Sequence, residues 1–166
     1  MKNFYRAEID GLRAIAIISV LVYHAEISLA GLKVFTGGYL GVDIFFVISG
    51  YIITKIIIKE HHERKFEINF FLYRRIRRIF PVLLLVALIT LLLGWYILVP
   101  TSYVQLSESI ISSFFFSSNF YFNYSDQIYG NDNGLIKPFL HTWSLSIEEQ
   151  FYIFFPFILI YCLKRK

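Results

Sequence analysis

The 166-residue chain is 57% hydrophobic and 17% charged, with a mean hydropathy of +0.58. A water-soluble domain, in which roughly a quarter of residues are charged, is excluded. The net charge of +4 does not signal nucleic acid, because the basic residues flank apolar runs, where membrane topology places them. Cys162 is the only cysteine, so no intramolecular disulfide can form; it lies in an apolar run, where packing is its expected role.

A segment crossing the hydrocarbon core needs about 20 mostly apolar residues. The first such run lies at 11–29, with His24 and Glu26 as polar interior positions. No small-residue cleavage site follows it, so it reads as a retained helix. The second run lies at 38–58 and carries Asp43, with Gly37 and Gly41 at a spacing that lets helix backbones approach. Gly38, Ser49 and Gly50 read as packing residues with them. The third run, 79–99, has Pro81 in its expected first turn, where a missing N–H costs little. Residues 104–124 are rich in Ser, Asn, Phe and Tyr and carry Glu108, which suits an interfacial amphipathic helix, although the length also permits a further span. Turn residues follow in SDQIYGNDNGLIKP. A last run at 145–163 ends in Lys164, Arg165 and Lys166. The expectation is an all-α, polytopic transmembrane helix bundle of about four spans plus the interfacial helix, forming one unit over 1–166.

The stretch from Lys55 to Arg78 holds Lys55, Lys59, Arg64, Lys65, Arg74, Arg75, Arg77 and Arg78. The positive-inside rule makes that stretch cytoplasmic, and with it the amino terminus. From Pro100 to Thr142 the only basic residue is Lys137, so that stretch is expected outside.

Arg13 and His24 are eleven residues apart, which at about 100° per residue is roughly 20° from a whole number of turns. They share a helix face, about 16 Å apart along the axis, with Arg13 expected near the cytoplasmic mouth and His24 deep in the membrane. Ionisable groups at such depth normally face a protein interior or a wet cavity. A neutral imidazole there is suited to accept a proton from a hydroxyl becoming a nucleophile. Asp43 is a candidate to orient that imidazole, or else a structural partner for a basic residue. Arg75 and Arg78 can project side by side at a helical start, as two guanidinium forks for phosphate oxygens or as topology anchors. In HTWSLSIEEQFY, Glu148 and Glu149 are adjacent and face about 100° apart, so only one can point at a given site. The grouping of His141, Ser144 and Glu148 lacks the strand-turn-helix setting of a hydrolase nucleophile.

Together, IDGLRAIAIISVLVYH, GGYLGVDIFFVISGYIIT, FLYRRIRRIFP and HTWSLSIEEQFY resemble the acyltransferase 3 family, polytopic acyltransferases that O-acetylate lipopolysaccharide O-antigens, peptidoglycan and other surface glycans. The resemblance implies transfer of an acyl group, usually acetyl from acetyl-CoA, to a sugar hydroxyl at the bacterial inner membrane. It implies no metal and no permanently bound cofactor; acyl-CoA is a donor substrate, and the bilayer and a glycan or lipid-linked sugar acceptor are the partners. The family's basic residue, ten-residue gap and histidine fall on Arg13 and His24. Its paired arginines fall on Arg75 and Arg78, with Arg74 and Arg77 at the same spacing. The resemblance thus implies His24 as the catalytic candidate and Arg13, Arg75 and Arg78 as donor-binding candidates, and the reading of the residues adds Asp43 and Glu148 to the catalytic candidates. Whether His24 acts as base or transiently holds the acyl group is open. Family membrane domains have about ten spans, so the sequence is expected to be the amino-terminal part of one, its carboxy-terminal half missing. A proton-coupled transporter subunit and an inactive remnant are the rival readings.

Overall fold

The computed structural model describes residues 6–25, 28–29, 32–33, 36–129 and 137–165. Their order is α1 (Ala7–His24), β1 (Ser28–Leu29), β2 (Leu32–Lys33), α2 (Leu40–His62), α3 (Ile68–Ile97), α4 (Pro100–Phe114), α5 (Ser118–Tyr129) and α6 (Thr142–Lys164). The fold is all-α apart from the two-residue strands β1 and β2, which pair antiparallel with Ser28 opposite Lys33 and Leu29 opposite Leu32. The chain divides into two compact units, Met1–Lys59 and Glu60–Lys166.

In the first unit, α1 begins four residues before the expected run and ends at His24. Glu8 and Asp10 occupy its first turn, where carboxylates favour the positive end of the helix. Ser28 and Leu29, expected at the end of the span, lie instead in β1, and Glu26 falls outside the described residues. α2 meets α1 at Gly41: a Cβ there would lie 2.5 Å from the Ala16 carbonyl oxygen and 2.7 Å from Val20 Cγ2. Only a residue without a side chain admits that approach. The other glycines of this run do not share the role, since a Cβ at Gly37 or Gly50 would meet nothing within 4 Å.

In the second unit, α3 is a single 30-residue helix, about 45 Å long at 1.5 Å per residue and so longer than the roughly 30 Å hydrocarbon core. Arg74 to Arg78 therefore occupy the same helix as the apolar run. Pro81 sits inside that helix rather than in its first turn, where its missing N–H leaves the Arg77 carbonyl without its helical donor. Pro100 stands at the start of α4, a position that needs no N–H. α4 packs on α3 through Leu83, Ala87, Leu106 and Ile110, joined by Phe122 and Phe139.

Residues 104–124 do not form one interfacial helix. The chain reverses at Phe116, with φ 51°, so that α4 and α5 form a hairpin. The reversal is stapled by Phe116 N–H to the Ser113 carbonyl (3.1 Å) and Ser117 N–H to the Ser112 carbonyl (2.8 Å), the paired bonds of a Schellman helix end. Arg64, with φ 55°, ends α2 the same way, through Arg64 N–H to the His61 carbonyl and Lys65 N–H to the Glu60 carbonyl.

A seam of small hydroxyls fixes α6 against this hairpin. Ser113 and Thr142 hydroxyls are 2.7 Å apart, as are those of Ser118 and Ser146, and all four residues are buried. Gln150 Nε2 donates to the Phe116 carbonyl at 2.7 Å. Small hydroxyl residues that let helices approach and bond to each other are the packing expected in lipid.

Among the described helices, α2, α3 and α6 are long and apolar enough to cross a membrane. α1 falls short of that set because its 18 residues include Glu8, Asp10 and Arg13. On α3, Val82, Leu85, Leu88, Leu92 and Leu93 are exposed, an apolar face that water would not tolerate and hydrocarbon would. The chain is a multi-pass membrane protein.

Candidate functional site

Each unit contributes its own polar cluster. In the first, His24 is the last residue of α1, with an exposed ring edge-on to Tyr23. It is thus at the helix end, not within its middle. Its Nδ1 lies 2.9 Å from the Val20 backbone oxygen. A carbonyl only accepts, so Nδ1 is the donor of this bond and Nε2 is the nitrogen turned away from it.

That bond does the orienting expected of Asp43. Asp43 sits exposed in the first turn of α2, two residues beyond Gly41, the residue that touches α1. Two residues turn the helix by about 200°, so Asp43 lies on the side of α2 away from that contact. The structure does not bring Asp43 and His24 into a hydrogen bond. Arg13, one face with His24, is half-buried and pairs with Asp10 at 3.7 Å.

In the second unit, Arg74 and Arg75 of YRRIRR turn to different sides of α3. Arg74 is paired with Glu60 at 2.7 Å and stacks on Phe70. Arg75 turns the other way, its guanidinium 4.7 Å from the centre of the Tyr152 ring and 5.6 Å from that of Phe71. Tyr152 donates its hydroxyl to Glu148 Oε1. Arg78, one turn on, joins Arg75 as a charge acting on the next residue of α6, Glu149. The spacing leaves two candidate pairs, and of Arg74 and Arg75 it is Arg75 that is directed at α6.

Glu149 is the residue that sequence reasoning passed over in favour of Glu148. It is 4% exposed, and its Oε1 has no hydrogen-bond partner among the described residues. A buried, unsatisfied carboxylate oxygen inside an apolar helix is costly, and such groups mark function more often than packing. The signal was present in the sequence: Thr142, Ser146, Glu149, Tyr152 and Pro156 recur every three or four residues and form the buried face of α6. Glu148 lies off that stripe, half-buried. Chemically, the cluster offers two guanidinium groups suited to phosphate oxygens, an aromatic platform beneath one of them, and two carboxylates able to hold a proton.

Comparison with known proteins places these features in a family. Residues 6–166 match the acyltransferase domain family. The chain is 37% identical over 162 residues to O-acetyltransferase OatA of Staphylococcus aureus strain NCTC 8325, covering 97% of this chain and 26% of that protein. It is 39% identical over 164 residues to a putative O-acetyltransferase of S. aureus strain MSSA476, covering 96% of this chain and 25% of that protein. The chain spans about a quarter of the length of the curated relatives it matches. No solved structure matches it. With the family match extending from the start of α1 to the end of α6, this chain belongs to the acyltransferase domain family of membrane proteins.

Proposed function

We propose that the chain carries acyl-transfer machinery of a membrane O-acyltransferase, which moves an acetyl group from acyl-CoA to a hydroxyl of a cell-surface glycan. Family membership and two relatives named as O-acetyltransferases support the class of reaction. The observation that carries the reading is the His24 imidazole, its Nδ1 fixed by the Val20 carbonyl at 2.9 Å, which leaves Nε2 as the nitrogen to take a proton. In the proposed step Nε2 takes the proton of the acceptor hydroxyl while its oxygen attacks the acyl carbonyl. The new C–O bond replaces the C–S bond, and the thiolate of coenzyme A leaves and is protonated from the imidazolium.

Arg75 and Arg78 are proposed to hold the donor's phosphates, with Arg13 a further donor-side contact. Glu148 positions Tyr152 beneath Arg75. Asp43 stands in the first turn of α2, without a hydrogen bond to His24 among the described residues. The basic stretch from Lys55 to Arg78 supports placing the arginines and the amino terminus on the cytoplasmic side of a bacterial inner membrane, where acyl-CoA is found. Lipopolysaccharide O-antigen and peptidoglycan sugars both present the hydroxyl that this chemistry requires.

Glycan mass spectrometry on cells expressing the full-length protein tests the reading. His24→Ala is expected to remove the mass of one acetyl group per acetylated sugar at unchanged protein level. Unchanged acetylation at normal expression would refute it.

A further inference from the structure

A second polar feature lies entirely within the first unit and is not used by the proton path from His24. α1 and α2 border an open cleft of about 320 Å³, lined by Arg6, Asp10, Arg13, Tyr51, Lys55 and Lys59. Four cations face one carboxylate there. Arg6 donates to the Tyr51 hydroxyl at 3.0 Å, and Arg13 is held toward Asp10 at 3.7 Å. The remaining walls are the apolar side chains of Ile9, Ile52 and Ile56. Beside the cleft on α1, Leu12 and Ile15 are exposed. Cationic and apolar side chains therefore share one cleft within a helix pair.

We propose that this cleft binds the phosphate headgroup of an anionic phospholipid, one acyl chain of which lies along Ile9, Ile52 and Ile56. A net positive rim at the end of membrane helices attracts anionic headgroups, and each added cation near the bilayer surface strengthens the attraction. A soluble phosphate would use the rim and leave the apolar wall empty; a diacyl lipid satisfies both. The proposal shares Arg13 with the proposed donor-side contacts, and the Lys55 and Lys59 variants below test it apart from that reading.

The test is native mass spectrometry of the purified full chain in detergent, titrated with phosphatidylglycerol or phosphatidylcholine. Tighter binding of phosphatidylglycerol is expected, and the Lys55→Gln/Lys59→Gln double variant is expected to weaken it about 10- to 30-fold. Lys55→Arg/Lys59→Arg should keep it, which separates lost charge from lost folding. Lys65→Gln/Lys164→Gln removes the same charge outside the cleft and should weaken binding by less than about threefold. Equal affinity for the two lipids, or equal weakening by the two charge-removing pairs, would overturn the proposal. Displacement of phosphatidylglycerol by equimolar inorganic phosphate or free coenzyme A would do so as well, by showing that the cleft reads a soluble phosphate.

Discussion

Burying Glu149 removes a carboxylate from water without giving both of its oxygens a partner, and the nearby guanidinium groups of Arg75 and Arg78 offset that cost only in part. A residue retained on those terms separates stability from activity. Glu149→Gln is expected to leave the thermal midpoint equal or higher, because a neutral amide is less costly to bury than an unsatisfied charge. The same variant should lower glycan acetylation by at least about tenfold and raise the KM for acyl-CoA, since Arg75 and Arg78 lose the charge that holds them. Thermal-shift chromatography and a steady-state assay on the full-length protein check both halves. Tyr152→Phe keeps the ring under Arg75 and removes only the hydrogen bond to Glu148. The expected loss is about 1–2 kcal/mol of stability, with a smaller effect on activity than Glu149→Gln. For His24, the residue and its face were legible from spacing, but its orienting partner was not. Periodicity places Asp43 on a helix without saying which side of it faces α1; the contact at Gly41 decides that.

At the scale of helices, the ends and the contacts are set by backbone geometry that composition hides. α2 and α4 both end in Schellman turns whose left-handed residue is not glycine but Arg64 or Phe116. A non-glycine residue there costs roughly 1–2 kcal/mol. Arg64 is exposed, so Arg64→Gly is expected to raise the thermal midpoint by relieving that cost, unlike most surface substitutions. Glycines within α2 should respond in opposite directions. Gly41→Ala drives a Cβ into the Ala16 carbonyl and should destabilise by about 1–3 kcal/mol. Gly50→Ala meets open space and should stabilise by about 0.5–1 kcal/mol. Both follow from a thermal melt of the detergent-solubilised protein. The reversal at Phe116 was not legible from residues 104–124, because no glycine or proline marks it. It is secured from α6, by Gln150 bonding the Phe116 carbonyl, a contact 34 residues distant in sequence.

For the whole molecule, the distribution of charge makes a topological prediction. In a Cys162→Ala background, Thr101→Cys, just past the end of α3, should react with a membrane-impermeant maleimide in intact cells. Glu63→Cys, in the basic stretch between α2 and α3, should react only after permeabilisation. The reverse pattern would invert the proposed orientation and place Arg75 and Arg78 away from cytoplasmic acyl-CoA. Composition and the spacing of apolar runs alone determined that this is a helical membrane protein, because the bilayer imposes one length and one composition on anything that spans it. Four ordered motifs also determined the family. Tertiary structure alone decided that α3 carries its arginines on the same rod as its apolar run, that Arg75 rather than Arg74 faces α6, and that Glu149 rather than Glu148 is buried there. Adjacent residues on a helix differ by about 100° in direction and hardly at all in sequence signal. The neighbouring helix that makes one direction interior and the other exterior lies some 70 residues away in the chain (149 − 75 = 74).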